Sequence, residues 1–255
     1  MILTFVPCRL KSTRLPNKSL LLINGISAIE RCLINVSAIV KSNKTVLITS
    51  TESEDDAILN HNLNGKVKVF RGPVDDVLQR LIPAINEFEP DHVIRVTGDC
   101  PLVSFEMAEQ LIESHLATGA DATFPKGKVA LGTACEIYRT SAIRKLRQLF
   151  PVTNYSEYLI YYFSNNPAIF TINEVDVDLK FRESWRLTLD EANDLQLLNM
   201  IYKDVNNDNK PVSFNQIQDF FRRNPTAIDI NLNNEVKYRD NKNLIKLLKK
   251  ATTYQ

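Results

Sequence analysis

The chain has 255 residues, 44% of them hydrophobic and 24% charged, and 31 Lys+Arg against 30 Asp+Glu leave a formal charge of +1. That balance belongs to a globular chain able to bury a sizeable core; it argues against a disordered chain and gives no overall pull toward nucleic acid. No run of about eighteen apolar residues occurs, which argues against a membrane span and for a chain with no membrane partner.

Residues 2–7 are an apolar run that reads as a first strand. The run is too short for a signal peptide and no basic segment precedes it. Residues 26–40 place Ile29, Leu33, Val36 and Val40 at a helical period. A second strand is expected at 44–49, a helix at 53–64 and a third strand at 66–70. Residues 74–88 follow a helical pattern, with Pro83 expected to kink or split it. A fourth strand at 92–97 precedes an amphipathic helix at 105–117. Its stripe is Phe105, Met107, Ala108, Leu111, Ile112 and Leu116, and Ser104 is its expected N-cap. His61 and His115 are expected to face solvent. Strands separated by helices of this length imply βαβ units and a largely parallel sheet, an α/β fold.

The second half is less regular. Strands are expected at 134–138, 169–177 and 186–189, and helices at 140–150, 155–163 and 191–205. Residues 206–212 (NNDNKPV) read as a linker. Two short helices, 214–223 and 243–250, follow it. This divides the chain into a main domain over 1–205 and a C-terminal helical extension over 206–255. The basic end KNLIKLLKK reads as a solvated helix rather than a membrane-surface one. Cys8, Cys32, Cys100 and Cys135 are far apart and form no CxxC pair. They read as free thiols of a cytoplasmic protein.

Three segments carry chemistry. PCRLKSTRLPNK, residues 7–18, follows the first strand, where an open α/β sheet usually binds its ligand. Arg9, Lys11, Arg14 and Lys18 fall within it, with Ser12 and Asn17 among them, and such a loop can surround a triphosphate. A solvated basic loop is the plain alternative. The GxxxxGK[ST] and GxGxxG patterns are both absent. RVTGDCPL, residues 95–102, runs a strand into Gly98, which allows close approach of a ligand, and Asp99, a hard oxygen ligand for Mg²⁺ or a turn cap. WRLTLDEAND, residues 185–194, ends another extended segment in Asp190, which could instead be a helix N-cap. Two strand-end aspartates could converge on one ion. No Ser/His/Asp or Cys/His constellation accompanies them. Cys8 and Cys100 read as small side chains of the site wall.

Together these segments resemble the sugar-activating cytidylyltransferases, and most of all their SpsF-like branch, which is related to the CMP-Kdo synthetases and acylneuraminate cytidylyltransferases. PCRLKSTRLPNKSLL is similar to the family's RxxSxRLPxKxL signature, and RVTGDCPL to its second strand-end motif. VFRGPVDDVLQRL, WRLTLDEANDLQLL and NPTAIDINLNNEV resemble three further segments in order. The resemblance implies a Rossmann-like nucleotidyltransferase fold with a mostly parallel central sheet and a smaller irregular β subregion. It also implies CTP and a sugar-like acceptor as substrates, and Mg²⁺. Arg9, Ser12, Arg14 and Lys18 would bind CTP phosphates, with Arg14 and Lys18 stabilising the leaving pyrophosphate. Asp99 and Asp190 would hold the metal. Arg71 and Asp75 or Asp76 would lie near base, ribose or sugar. Glu136 would face the acceptor, and a homodimer would form through residues 125–180. Two departures stand out. Asn17 replaces the family's usual Gly, and SEYL at 156–159 replaces Glu-His-Val-Thr. A glycosyltransferase with a DxD metal motif is the competing class, and the only such motif of interest here is Asp176-Val177-Asp178; a non-catalytic nucleotide-binding homologue is the third.

Overall fold

The structure is a computed structural model that describes residues 1–205 and 209–254. In chain order its strands are β1 (Ile2–Pro7), β2 (Leu22–Ile23), β3 (Ile26–Ser27), β4 (Lys44–Ser50), β5 (Lys68–Gly72), β6 (His92–Arg95), β7 (Ala122–Pro125), β8 (Glu136–Arg139) and β9 (Ile172–Val175). Its α-helices are α1 (Ala28–Val36), α2 (Val77–Phe88), α3 (Phe105–Thr118), α4 (Thr140–Leu149), α5 (Ile160–Ser164), α6 (Ala192–Val205), α7 (Phe214–Arg223), α8 (Lys237–Asp240) and α9 (Lys242–Thr252). Among the described residues seven strands form one sheet in the order β5-β4-β1-β6-β8-β7-β9, and β2-β3 is a small antiparallel ribbon. The pairs β4-β5, β1-β4, β1-β6 and β7-β9 are parallel; β8 runs antiparallel to β6 and β7. The mostly parallel α/β sheet expected from the βα alternation is therefore present, with β8 as its reversed strand.

The two faces of the sheet carry separate cores. Val6, Leu47 and Ile94 point to the face covered by α1, α3, α6 and α7. Leu3, Phe5, Val46 and Val93 point to the face covered by α2, α4 and α5. Strands buried on both faces read as continuous apolar runs, which is how TFVP and VLI appear in the sequence. Phe214, Ile217, Phe220 and Ala227, beyond the expected linker, join the first of these cores. Residues 206–208 of that linker lie outside the described residues. Its end is anchored: the Asn35 side chain donates to the Val212 carbonyl at 3.1 Å and accepts from the Val212 amide at 2.9 Å.

Several expected elements shift. Pro83 lies inside a continuous α2 that runs to Phe88 rather than splitting it. The helix expected at 53–64 is a 3₁₀ turn, Ser53–Asn60. Residues 186–189 are extended but belong to no strand; Arg186 makes one parallel bridge to Leu131. The expected stripe of α3 is buried at Met107, Ala108, Leu111 and Ile112 and departs at its last position. Leu116 is 48% exposed, whereas His115 is fully buried. Ala108, Leu111, Ile112 and His115 form the i, i+3, i+4, i+7 face instead. His115 can occupy a core position because both ring nitrogens have partners: His92 Nδ1 at 3.0 Å and Thr123 Oγ1 at 2.7 Å. His61 is half-buried, with Nδ1 3.0 Å from both Glu30 Oε2 and Ser27 Oγ.

The buried imidazole pair makes stability pH-dependent. Burial, then His92 and Arg139, push the His115 pKa down to about 4, and burial lowers His92 as well. The folded chain holds these rings neutral, while the unfolded chain protonates them near pH 6.5. The stabilisation is therefore complete above pH 6.5 and is lost as pH falls toward 4. At pH 5 the expected loss from His115 is about 2 kcal/mol relative to pH 7. Urea denaturation at pH 7 and pH 5 tests this against His115→Gln, whose loss should be smaller by that amount; equal losses would refute it.

Candidate active site

The loop after β1 is held by the fold before any ligand arrives. Asp55, buried on the 3₁₀ turn after β4, accepts the Leu10 amide at 2.7 Å through Oδ1 and the Ser50 hydroxyl through Oδ2. Arg9 donates to the Val74 carbonyl at 3.0 Å and lies 3.6 Å from Asp75. Ser12 Oγ accepts the Leu15 amide at 3.4 Å. Asn17 adopts a left-handed backbone with φ 53° and turns the chain into the 3₁₀ segment Lys18–Leu20. Asn tolerates this region better than most other side chains, which suits it to the turn.

Lys18 reaches from this turn to both strand-end aspartates. Its ammonium is 2.5 Å from Asp99 Oδ2 and 2.8 Å from Asp190 Oδ1. Arg14 lies 3.0 Å from the same Asp190 oxygen and 3.4 Å from Glu191. The predicted group Arg14, Lys18, Asp99 and Asp190 is thus one cluster, with Lys18 only 13% exposed. Burial works against the Lys18 charge, but the two carboxylates outweigh it and raise its pKa above the ordinary lysine value. Burial likewise opposes ionisation of Asp99, yet the Lys18 charge and hydrogen bonds from Lys18 and Thr97 bring its carboxyl down to about 2.

Asp190 arrives by a route different from the one expected. It does not end a strand of the sheet. The extended segment before it bonds directly to the Asp99 turn: the Leu189 amide donates to the Asp99 carbonyl at 2.8 Å. Nor does its carboxylate cap α6. The amides of Asp190 and Glu191 donate to Asp194 Oδ2 at 2.9 and 3.0 Å, so Asp194 closes the turn and leaves Asp190 free to face Lys18, Arg14 and Arg186.

Asp194 and Arg186 hold the Asp190 turn, a scaffold that sequence reasoning missed. Fully buried Asp194 takes Arg186 Nε at 2.8 Å and NH2 at 3.1 Å, a bidentate pair. It also accepts from Asn231 at 2.9 Å and Asn234 at 3.0 Å. Arg186 extends its NH2 to Asp190 Oδ2 at 3.1 Å. The signal was present: Arg186 and Asp194 lie inside WRLTLDEAND, and Asn231 is the last residue of NPTAIDIN. Spacing alone could not say that the second segment holds the first.

The remaining expected residues lie around this cluster. Arg71 donates to the carbonyls of Ser50 at 2.7 Å and Glu52 at 3.0 Å and pairs with Asp56 at 2.7 Å. Asp75 is exposed beside Arg9. Asp76 caps α2 through the Gln79 amide and also binds Arg147 and Thr153, so the fold already uses its carboxylate. Glu136 accepts from buried Arg95 at 2.7 Å and from the Tyr138 hydroxyl at 2.8 Å. Gly98 is required by packing: a Cβ there would meet Cys8 Cβ at 2.8 Å and Ile29 at 2.9 Å. Gly132, at φ +86°, brings its chain against Leu187 and Thr188, where a Cβ would meet the Thr188 amide at 2.6 Å. Cys8 and Cys100 are buried beside the cluster, and burial raises both thiols to about 12, which suits wall residues and not nucleophiles. In the DxD segment, Asp176 pairs with Arg182 and Asp178 accepts from Gln110 at 2.7 Å, so the motif is engaged outside the cluster.

The donor set suits a hard divalent cation. Asp99 and Asp190 already converge on one cationic centre, the Lys18 ammonium, within 2.5–2.8 Å. Among the described residues no group of three or more His, Cys, Asp or Glu is arranged to hold a metal. One or two carboxylates, completed by phosphate oxygens and water, is the coordination Mg²⁺ usually takes.

Known proteins resemble this chain over nearly its whole length. The cytidylyltransferase family matches residues 3–237. The spore coat polysaccharide biosynthesis protein SpsF of Bacillus subtilis is 28% identical over 232 residues, covering 89% of this chain and 96% of that protein. The 3-deoxy-manno-octulosonate cytidylyltransferase of Francisella tularensis subsp. novicida is 27% identical over 190 residues, 73% of this chain and 68% of the relative. The structure of a cytidylyltransferase from Leptospira borgpetersenii superposes with a TM-score of 0.80 at 24% identity, covering 89% of this chain and 96% of its own. No helix among the described residues is long and apolar enough to cross a membrane. The fold, the ordered motifs and the family match agree: the chain belongs to the cytidylyltransferase family and is a nucleotidyltransferase.

Proposed function

We propose that the protein transfers the cytidylyl group of CTP to a sugar or sugar acid in surface polysaccharide synthesis, releasing pyrophosphate. The observation that carries this reading is the convergence of Lys18, Arg14, Asp99 and Asp190 beside the loop after β1. In the reaction an oxygen of the acceptor attacks the α-phosphorus of CTP, and the bond from that phosphorus to the bridging oxygen of the β-phosphate breaks. Such a transfer asks for charge neutralisation and in-line alignment rather than a protein nucleophile.

Each residue has a place in this scheme. Asp99 and Asp190 hold the divalent cation, which when bound neutralises phosphate charge. Lys18 leaves its two carboxylates for phosphate oxygens, and Arg14 joins it in stabilising the leaving pyrophosphate. Arg9 and Ser12 line the phosphate loop. In this reading Arg71 and Asp75 would meet base, ribose or sugar, and Glu136, held by Arg95, would meet the acceptor. The names of the polysaccharide and octulosonate relatives support the acceptor class. The reading includes a homodimer through residues 125–180, where β9 is the terminal strand of the sheet and Leu179 is 84% exposed. It also places the protein in the cytoplasm, in keeping with four free buried thiols.

Pyrophosphate release tests the nucleotide. With 3-deoxy-manno-octulosonate, a nonulosonic acid and sugar phosphates as acceptors, CTP with Mg²⁺ should turn over, and ATP, GTP and UTP should not. Turnover with GTP or UTP but never with CTP would overturn the reading.

A further inference from the structure

Arg80 is a buried charge that the site described above does not use. It lies in VFRGPVDDVLQRL, in the first turn of α2, and is only 1% exposed. Its side chain turns back over the start of the helix. Nε donates to the Pro73 carbonyl at 3.0 Å and NH2 to the Val74 carbonyl at 2.8 Å. The stem packs on Gly72 at the end of β5, where a Cβ would meet Arg80 Cα and Cγ at 2.9 Å. Among the described residues no ion pair engages Arg80; Asp75 pairs with Arg9 and Asp76 with Arg147.

A cation in this position is costly on three counts. It is removed from water with no carboxylate partner. It lies at a helix N-terminus, where the dipole favours anions. A second cation also stands beside it, since Arg9 NH1 donates to the same Val74 carbonyl at 3.0 Å. Burial and the Arg9 charge both work against the ionised form of Arg80. An apolar side chain of similar volume would fill the space without these costs. Residues that break local rules in this way are expected at functional sites. The bonds show what the charge achieves. Arg80 fixes the carbonyls of residues 73–74, and the Val74 carbonyl in turn fixes Arg9. The other partner of Arg9, Asp75, is 85% exposed at 3.6 Å, and a surface pair of that kind orients little by itself.

We propose that Arg80 is a positioning residue: it locks the connection between β5 and α2 so that Arg9 is presented to the phosphates of the nucleotide. The proposal rests on the nucleotidyl-transfer reading above, in which Arg9 lines the phosphate loop. Arg80 itself touches no ligand in this scheme. Its two donors set the Val74 carbonyl before the nucleotide arrives, and such preorganisation reduces the ordering cost of binding. Arg9 holds phosphate equally before and during the transfer. The effect therefore falls on affinity and KM rather than on kcat.

Titration calorimetry of CTP with Mg²⁺ on the full chain, paired with steady-state pyrophosphate release, tests this. Arg80→Met keeps the stem and removes the two donors. Its Kd and KM for CTP should rise by roughly tenfold or more, the scale of one lost charge-assisted hydrogen bond, while kcat stays within about threefold of wild type. Arg9→Ala should show the same pattern. The double variant should be no weaker than Arg9→Ala alone, because Arg80 acts only through Arg9. Arg80→Lys keeps the charge and a donor, so it should recover part of the loss. It also carries the test, through its own cycle with Arg9→Ala, if circular dichroism shows that Arg80→Met does not fold. A purely structural Arg80 would lower Tm and leave CTP affinity unchanged, and that result overturns the proposal. So do losses that multiply in the double variant, or a fall in kcat with KM unchanged. A wild type that fails to bind CTP sinks the functional reading instead.

Discussion

Asp190→Asn is expected to lower kcat by at least about a hundredfold, and Asp99→Asn to do the same. Losing a partner that merely orients a metal ligand costs 10–100-fold in typical sites, so losing a ligand's own charge should exceed about that range. The fold should survive the change at Asp190. Its amide and that of Glu191 are held by Asp194, and Arg186 keeps its bidentate bond to Asp194. An Asn would therefore occupy the same turn without the negative charge. The double variant should be little worse than either single one, since both carboxylates act on one centre. Turnover measured against Mg²⁺ concentration decides the matter: both variants should need far more metal. An active Asp190→Asn enzyme with unchanged metal dependence would remove Asp190 from the site.

The second large effect belongs to Lys18. Lys18→Ala should lower kcat by roughly tenfold to a thousandfold, the range seen when one transition-state charge donor is removed. It should also change metal binding in the opposite sense. The ammonium now sits between Asp99 and Asp190, where it competes with any cation for the same oxygens. Its removal leaves two facing carboxylates that repel, and the pKa of one should rise. Mg²⁺ relieves that repulsion, so the variant should gain more thermal stability from Mg²⁺ than wild type does. Slower turnover together with a larger Mg²⁺-induced rise in Tm is a pairing that a solvated surface lysine would not produce. Wild-type kcat with an unchanged Mg²⁺ response would return the loop to an ordinary basic turn.

Much of this protein is determined locally and is legible in the sequence. TFVP, VLI and HVIR are short apolar runs between helical periods, and side-chain periodicity is a property of the chain itself. The parallel half of the sheet and the loop after β1 follow from such patterns, while Arg14, Lys18, Asp99 and Asp190 stood out through the motifs that resemble the cytidylyltransferases. Asn17 could be read as a left-handed turn residue for the same reason: its preference is intrinsic. Other features were decided only by tertiary packing. His115 displaces Leu116 from the core because His92 and Thr123 satisfy its two nitrogens, a fact no helical wheel contains. Asp190 reaches the site because Leu189 bonds to the Asp99 turn and Asp194 relieves it of capping duty, contacts set by Asn231 and Asn234 some forty residues away. Gly98 and Gly132 are required by the close passage of Cys8 and of the 187–188 segment. Periodicity and turn preference act between near neighbours along the chain, whereas a buried carboxylate takes whichever donors the folded structure brings within about 3 Å.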